Sequence, residues 1–234
     1  MSATRALALA RIVAIADVLP ESLRTRLVFI GGAVLPLLVD VDSRFDAPRT
    51  TKDVDAVTAT LNYTQFARME DALRTAGFRH APHGPVSRWI APHGEIFDLS
   101  TVGDHAGGTG AVIDRVAFDI AIPILERPSL RQLSSLGYFL MKSAAFFDRG
   151  VRTPYESKDL ADLAVLLIGA SMLRAEGETA AADVRLLVQA QAHALLNSTD
   201  LAGALRTHFR DRQPIAPDTP DSLAHEALAL LGAL

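Results

Sequence analysis

Two aspartates, Asp53 and Asp55, lie two residues apart in the segment DVDAVTA, which spans residues 53–59. Its alternating, β-branched residues favour a strand. Side chains two apart on a strand point to the same face, so both carboxylates are expected on one face, with Val54 toward the core. Such like charges need a nearby cation when they are half-buried, and Mg²⁺ prefers carboxylate and phosphate oxygens. The pair is a candidate metal site, and a solvated strand edge is the alternative.

A third carboxylate comes from the segment EIFDLS, residues 95–100, in which Asp98 is embedded among apolar residues. With VSRWI, residues 86–90, it predicts a hairpin. Asp119 in AFDIAI competes for the same role, but we favour Asp98 because its hairpin lies close to the first pair in sequence. Three carboxylates can bridge two Mg²⁺ ions roughly 3.5–4 Å apart, an arrangement used for in-line displacement at phosphorus.

Two further features suit a phosphate ligand. Gly31 and Gly32 stand between an apolar strand and an apolar helix, where glycine lets the backbone approach a ligand and helix-start N–H groups favour anions. A plain tight turn is the alternative. Lys142 is one of only three lysines and lies within the apolar helix 132–148. Burying it is costly unless it meets an anion such as phosphate, or unless it reaches solvent at the helix rim.

The hydrophobic patterns predict an α+β chain with two parts. Residues 1–127 contain short strands, including one at 118–125, together with helices, polar loops at 40–49 and a glycine-rich loop at 101–110. Helical periodicity dominates residues 128–234. The expected fold is a mixed sheet with helices, followed by a helical bundle.

Composition excludes several classes of site. The 234 residues include no cysteine, so disulfides, thiolate nucleophiles and cysteine-ligated zinc are ruled out. The net charge of −4 gives no bulk signal for nucleic-acid binding. No apolar run reaches the roughly 18 residues of a membrane span. We expect a cytoplasmic protein without a membrane partner.

Taken together, the motifs resemble a known superfamily. VFIGGAV followed by RTTKDVDAV resembles the nucleotidyltransferases related to DNA polymerase β, including CCA-adding enzymes. LGYFLMKSAAFFDRG followed by YESKDLADLAVLL resembles the AbiEii/AbiGii type, which includes toxins of type IV toxin–antitoxin systems. The similarity covers roughly residues 27–170. It implies a polymerase β-like catalytic domain at 1–127, a helical domain at 128–234 that completes the active site, and an insertion at 40–49.

The resemblance also assigns residues. Asp53, Asp55 and Asp98 would hold two Mg²⁺ ions, while Gly31, Gly32 and Lys142 would bind the phosphates of a nucleoside triphosphate. The family often shows Arg-x-Ser/Thr-x-Asp before the strand, which Arg49, Thr51 and Lys52 fit as nucleotide-binding residues. Asp159 matches an acid of the family that holds the lysine or contacts substrate. Without the resemblance, Asp159 and Asp162 are equally explained as acids in a first helical turn that is capped by Ser157.

The expected function is Mg²⁺-dependent transfer of a nucleoside monophosphate to a hydroxyl. The resemblance implies an RNA acceptor, such as a tRNA 3′ end, or a protein, and an antitoxin as a possible partner. A small-molecule nucleotidyltransferase of the antibiotic-modifying sort is the first alternative, with a compact acceptor pocket in place of a basic groove. A basic patch is suggested by Arg206, His208, Arg210 and Arg212, and a solvated helix end explains these residues too. A catalytically silent binding protein is the second alternative.

Overall fold

The computed structural model describes residues 2–39, 44–45, 51–59, 62–102 and 109–234. Internal contacts divide the chain into two compact units. The sheet unit comprises residues 3–37 and 50–134, and the helical unit comprises residues 38–49 and 135–234. The boundary expected after residue 127 falls inside a strand of the sheet, and the observed division lies between Ser134 and Ser135.

The sheet unit is built around one mixed sheet of seven strands within the described residues. Its spatial order is β3-β4-β5-β2-β1-β7-β6, in which β2 pairs antiparallel with β1 and parallel with β5. The elements, in chain order, are α1 (Ala3–Val18), α2 (Glu21–Arg24), β1 (Val28–Ile30), α3 (Leu35–Leu38), β2 (Asp53–Thr58), α4 (Tyr63–Thr75), β3 (Arg79–His80), β4 (Arg88–Ile90), β5 (Ile96–Thr101), α5 (Thr109–Asp119), β6 (Ile122–Ile124) and β7 (Arg127–Gln132).

Alternation along the two central strands decides which face is buried. Val54 and Ala56 on β2 and Phe97 and Leu99 on β5 are almost completely buried, while the aspartates between them are half-buried. Burying a side chain the size of Phe97 stabilises the fold by roughly 1.5–3 kcal/mol. This apolar face therefore fixes the register of β2 against β5.

The sequence-based strand assignments are partly correct. The hairpin is confirmed as β4 and β5, which pair antiparallel. The strand expected at 118–125 is wrong over its first residues, because α5 continues to Asp119 and only Ile122–Ile124 is extended. The strand β7 was not predicted, since its sequence RPSLRQ is polar and three of its six residues are exposed.

The helical unit contains six α-helices in the described residues. They are α6 (Ser135–Ala145), α7 (Lys158–Gly169), α8 (Met172–Thr179), α9 (Ala182–Leu196), α10 (Leu201–Asp211) and α11 (Pro220–Leu231), where α8 is a short connector between the longer helices. A π-helical turn, Phe146–Gly150, continues α6. Helix α7 is buried along most of its length, as expected of a central helix. The expected α+β fold is thus confirmed, and none of the described helices is long and apolar enough to cross a membrane.

Two described residues of the expected loop 40–49 are held firmly within the helical unit. The Arg44 guanidinium lies 2.8 Å from Asp218 and 2.7 Å from Glu226. The Phe45 side chain is 3% exposed, and its ring is nearly parallel to that of Phe209, with centroids 6.1 Å apart. Residues 44–45 therefore contribute to the core of the helical unit.

Replacing Phe45 with alanine should lower the free energy of unfolding by about 3 kcal/mol, because a buried ring is lost and leaves a cavity. Denaturant unfolding followed by circular dichroism measures the change. Leu186→Ala is the control, since Leu186 lies in the same unit and is 67% exposed. Equal stabilities of the two variants would contradict the packing role of Phe45.

Candidate metal centre

Three carboxylates converge on one face of the sheet. The register places Asp55 directly opposite Asp98 on the parallel neighbour, and Asp53 lies one step along the same face of β2. Each side chain is half-buried, and one oxygen from each lies within 4.8 Å of the others. The sequence-based expectation that these three aspartates meet is confirmed, and we refer to them as the carboxylate cluster.

An arginine on the hairpin neutralises part of this cluster. Arg88 is opposite Asp98 in the β4–β5 register. Its Nε donates to Oδ1 of Asp98 at 2.9 Å, and its Nη2 donates to Oδ2 of Asp98 at 2.6 Å and to Oδ2 of Asp53 at 3.3 Å. The hydrogen bond to Asp98 raises the pKa of Arg88 further above its ordinary value. The arginine is therefore a permanent cation at this site.

Sequence reasoning missed Arg88, although the hairpin contained a signal. Once the loop of the hairpin is fixed, antiparallel pairing places one residue of β4 opposite Asp98 on the same face. A basic residue at that position is the opposite-charge partner that a cross-strand pair favours. Deriving the pairing register as well as the strands would have identified it.

The paired glycines make room for the cluster. Gly31 follows β1 with φ +71°, and a Cβ there would overlap Oδ2 of Asp55 and lie 2.8 Å from its Cγ. A Cβ on Gly32 would lie 3.1 Å from Cβ of Thr51. The expected helix after the turn is α3, which has only four residues. The structure therefore places Gly31 against the carboxylate cluster and Gly32 against Thr51, and the helix that follows them is short.

The segment before β2 is held from two sides. The Thr51 hydroxyl donates to Oδ1 of Asp53, and the Thr51 carbonyl accepts a hydrogen bond from Arg11 of α1. Arg11 also pairs with Glu95, the residue before β5. One arginine thus links the beginnings of the two strands that carry the carboxylates. Nothing in the local sequence indicated Arg11, because its partners lie 40 and 84 residues away.

The remaining candidates from the first 127 residues do not take part in these contacts within the described part of the chain. Lys52 is exposed on the segment leading into β2. Arg49 lies outside the described residues. Asp119, the competing third carboxylate, ends α5 and pairs with Arg115 on the same helix at 2.8 Å. That alternative is therefore wrong, and Asp98 completes the carboxylate cluster.

The helical unit contains a second charged cluster. Nζ of Lys142 lies 3.0 Å from Oδ1 of Asp159 and 2.8 Å from Oδ2 of Asp162. Asp159 also accepts from Arg149, whose Nε is 2.8 Å from Oδ2. The lysine therefore holds the acid that the resemblance assigned to it. Asp162, which sequence reasoning explained by its place in a first helical turn, is fully buried and shares the lysine.

Local structure positions these four charges. Asp159 and Asp162 are three residues apart on α7 and so share one helical face. Ser157 caps this helix by accepting from the Leu160 N–H at 3.2 Å. The π-helical turn carries Arg149, and its last residue, Gly150, could not carry a Cβ without colliding with Ser157. The turn and α7 therefore pack closely where the ion pairs form.

The charges in this second cluster shift each other's pKa. Burial alone would raise the pKa of Asp159, but Arg149 and Lys142 outweigh it and hold that pKa below its ordinary value. Burial would lower the pKa of Lys142, but Asp162 and Asp159 outweigh it and raise that pKa. The stability contributed by Asp159 is thus present above its unfolded pKa of 3.8 and is lost as the pH falls through the folded value.

Comparisons with known proteins leave the family open. No family model and no curated protein matches the sequence. Among solved structures, the crystal structure of JHP933 from Helicobacter pylori is similar, with a TM-score of 0.48, 14% sequence identity, and coverage of 97% of this chain and 90% of that chain.

Replacing Lys142 with methionine should lower the free energy of unfolding by about 3 kcal/mol at pH 7, because two buried aspartates lose their shared cation. The deficit should shrink as the pH falls toward 4. Without the ammonium, the pKa of Asp159 in the variant lies above its value in the parent, although Arg149 still lowers it, so the variant loses less stability on acidification than the parent does. Denaturant unfolding at several pH values measures both effects.

Lys158→Met is the control for this experiment, because Lys158 begins the same helix and is exposed. It should change the stability little at any of these pH values. A deficit of Lys142→Met that stays constant between pH 7 and pH 4 would show that lost packing, and not unpaired charge, causes the loss.

Proposed function

We propose that this protein is a divalent-metal-dependent nucleotidyltransferase that moves a nucleoside monophosphate from a nucleoside triphosphate to a hydroxyl acceptor. The observation that supports it best is the carboxylate cluster: three aspartates of two adjacent strands with oxygens within 4.8 Å of one another. Arg88 bonds to two of the three carboxylates, those of Asp98 and Asp53. Three carboxylates gathered at one place form a site that is suited to cations.

The chemistry of the donors fits magnesium. All three side chains offer hard oxygen ligands, which Mg²⁺ prefers. One oxygen of each carboxylate lies within 4.8 Å of the others, so the three side chains would hold the ion together. Bound there, Mg²⁺ would activate the acceptor hydroxyl and neutralise charge on the triphosphate.

The surrounding residues of the chain would prepare this site. Thr51 fixes one oxygen of Asp53, and the missing side chain of Gly31 leaves space for the Asp55 carboxylate. In the reaction, the acceptor oxygen would bond to the α-phosphorus while the bond between the α-phosphate and pyrophosphate breaks. The hydroxyl proton would pass to water. The contribution of the protein would be mainly positioning and electrostatic stabilisation.

In the helical unit we assign Lys142 to phosphate binding, as the resemblance implies, with Asp159 and Asp162 orienting it. An ammonium has three N–H donors. The two aspartates pair with this ammonium, with Nζ 3.0 Å from Oδ1 of Asp159 and 2.8 Å from Oδ2 of Asp162. Arg149 carries a second cation, with its side chain 67% exposed. These contacts give the cluster a fixed geometry, which is what a positioning role requires.

The acceptor class is proposed from charge and resemblance together. His208 on α10 and Arg212 directly after it are buried, Arg206 pairs with Asp221 at 3.4 Å, and Arg210 is exposed. Of the four residues of the basic patch suggested by the sequence, two are therefore buried and a third is paired with an aspartate. This favours a short contact, such as one tRNA 3′ end or one protein hydroxyl, over a long RNA footprint. A role as a type IV toxin with an antitoxin partner remains part of the same proposal.

Asp53→Asn should reduce nucleotide transfer at least about a hundredfold, because one charged metal ligand is lost. The fold should persist, since Asp53 is 30% exposed and its removal relieves repulsion within the cluster. Transfer of label from α-³²P-labelled nucleoside triphosphates measures activity, and circular dichroism measures folding. Asp119→Asn removes an aspartate outside the cluster and should retain full activity. Undiminished transfer by folded Asp53→Asn would refute the assignment.

The acceptor can be identified by incubating the protein with each labelled triphosphate, Mg²⁺ and one acceptor class at a time. We expect label in total tRNA or in a protein extract. Label that appears only in small molecules would favour the antibiotic-modifying alternative. No label in any fraction, together with nucleotide binding, would favour the catalytically silent alternative. The Asp53→Asn variant, incubated in the same way, gives the background level of label in each fraction.

A further inference from the structure

The Arg88 guanidinium occupies the position in the carboxylate cluster that a cation would take. We propose that Arg88 is a resident counter-cation that competes with free divalent metal for Asp98 and Asp53, so that the metal binds favourably only together with a nucleotide. The released guanidinium then pairs with the phosphates. This inference rests on the proposed function, because it concerns the metal and the nucleotide of the same site.

The hydrogen bonds show why the competition is direct. Arg88 engages both oxygens of Asp98 in a side-on pair, at 2.9 and 2.6 Å, and reaches Asp53 at 3.3 Å. Asp98 is the less exposed of the two, at 16% against 30%. A metal ion that uses the same oxygens must displace these bonds or share the carboxylates with a positive guanidinium. Either outcome weakens the binding of a free divalent ion.

The position of Arg88 is fixed by the turn that precedes β4. This argues against an incidental surface contact. The chain turns before β4 at Gly84, which has φ +119°. A Cβ at Gly84 would lie 3.0 Å from Cδ of Arg88, so the missing side chain leaves space for the aliphatic stem. The Arg88 backbone N–H donates to the Pro85 carbonyl at 3.0 Å. The guanidinium is thus directed at the cluster by its own turn.

A nucleotide changes the charge balance that Arg88 experiences. A free divalent ion brings only positive charge next to the guanidinium. A metal–triphosphate complex carries net negative charge, and its oxygens match the planar guanidinium fork as well as a carboxylate does. Arg88 therefore disfavours the free ion but has a new partner when the complex binds. By reciprocity, nucleotide must increase metal affinity by the same factor as metal increases nucleotide affinity.

The test measures Mn²⁺ binding to the whole protein by electron paramagnetic resonance of the free ion, with and without a non-hydrolysable nucleoside triphosphate. Arg88→Gln should bind Mn²⁺ alone about tenfold more tightly than the parent, because one positive charge is removed from the cluster. The factor by which nucleotide improves Mn²⁺ affinity should be smaller in Arg88→Gln. Arg88→Lys keeps the positive charge but loses the planar guanidinium. Its Mn²⁺ affinity should lie between those of the parent and of Arg88→Gln.

Arg115→Gln is the matched control, because it removes an arginine from an Asp pair of similar length, 2.8 Å, elsewhere in the sheet unit. Its Mn²⁺ affinity should equal that of the parent. This inference would be overturned if folded Arg88→Gln bound Mn²⁺ no more tightly than the parent does. It would also be overturned if the nucleotide increased the Mn²⁺ affinity of this variant by the same factor as that of the parent. Asp53→Asn separates the two proposals: if it binds Mn²⁺ as the parent does, the metal centre of the proposed function fails, whatever Arg88 does.

Discussion

Mutual repulsion among three carboxylates is the constraint on which the arrangement of the sheet unit depends. The strands hold Asp55 opposite Asp98 although the charges alone would separate them. What opposes the repulsion is the other face of the same strands, where Val54 and Phe97 are completely buried. A slip of one residue would bring the aspartates into the core and expose the apolar set. The register that buries the core is therefore the register that assembles the carboxylate cluster.

The two charged clusters solve the same electrostatic problem in different ways. In the helical unit, two carboxylates face two cations, and Asp162 is fully buried with Lys142. That balance suits a fixed structural or positioning element. In the sheet unit, three half-buried carboxylates lie together, and Arg88 bonds to two of them, those of Asp53 and Asp98. Three convergent carboxylates have no equivalent in the helical cluster, and they are the feature that a divalent cation can use.

What the sequence predicted well was local. Alternation revealed that Asp53 and Asp55 share a face, and the hairpin that carries Asp98 followed from its two short apolar runs. What it did not predict depends on pairing between distant segments. The strand β7 has a polar sequence and exists because it pairs with β1, and Arg11 matters because the fold brings it to Thr51. Long-range contacts of this kind leave no periodic pattern for sequence reasoning to detect.

Small residues in two turns leave the space in which the charged side chains of the cluster come together. Gly31 leaves space for the Asp55 carboxylate, and Gly84 leaves space for the Arg88 stem. Both have positive φ, so a larger residue would strain the backbone as well as collide. Both glycines are adjacent to or within a few residues of the strands that carry the charges. The turns therefore determine which side chains reach the carboxylates, while the buried face of the strands determines that the carboxylates meet at all.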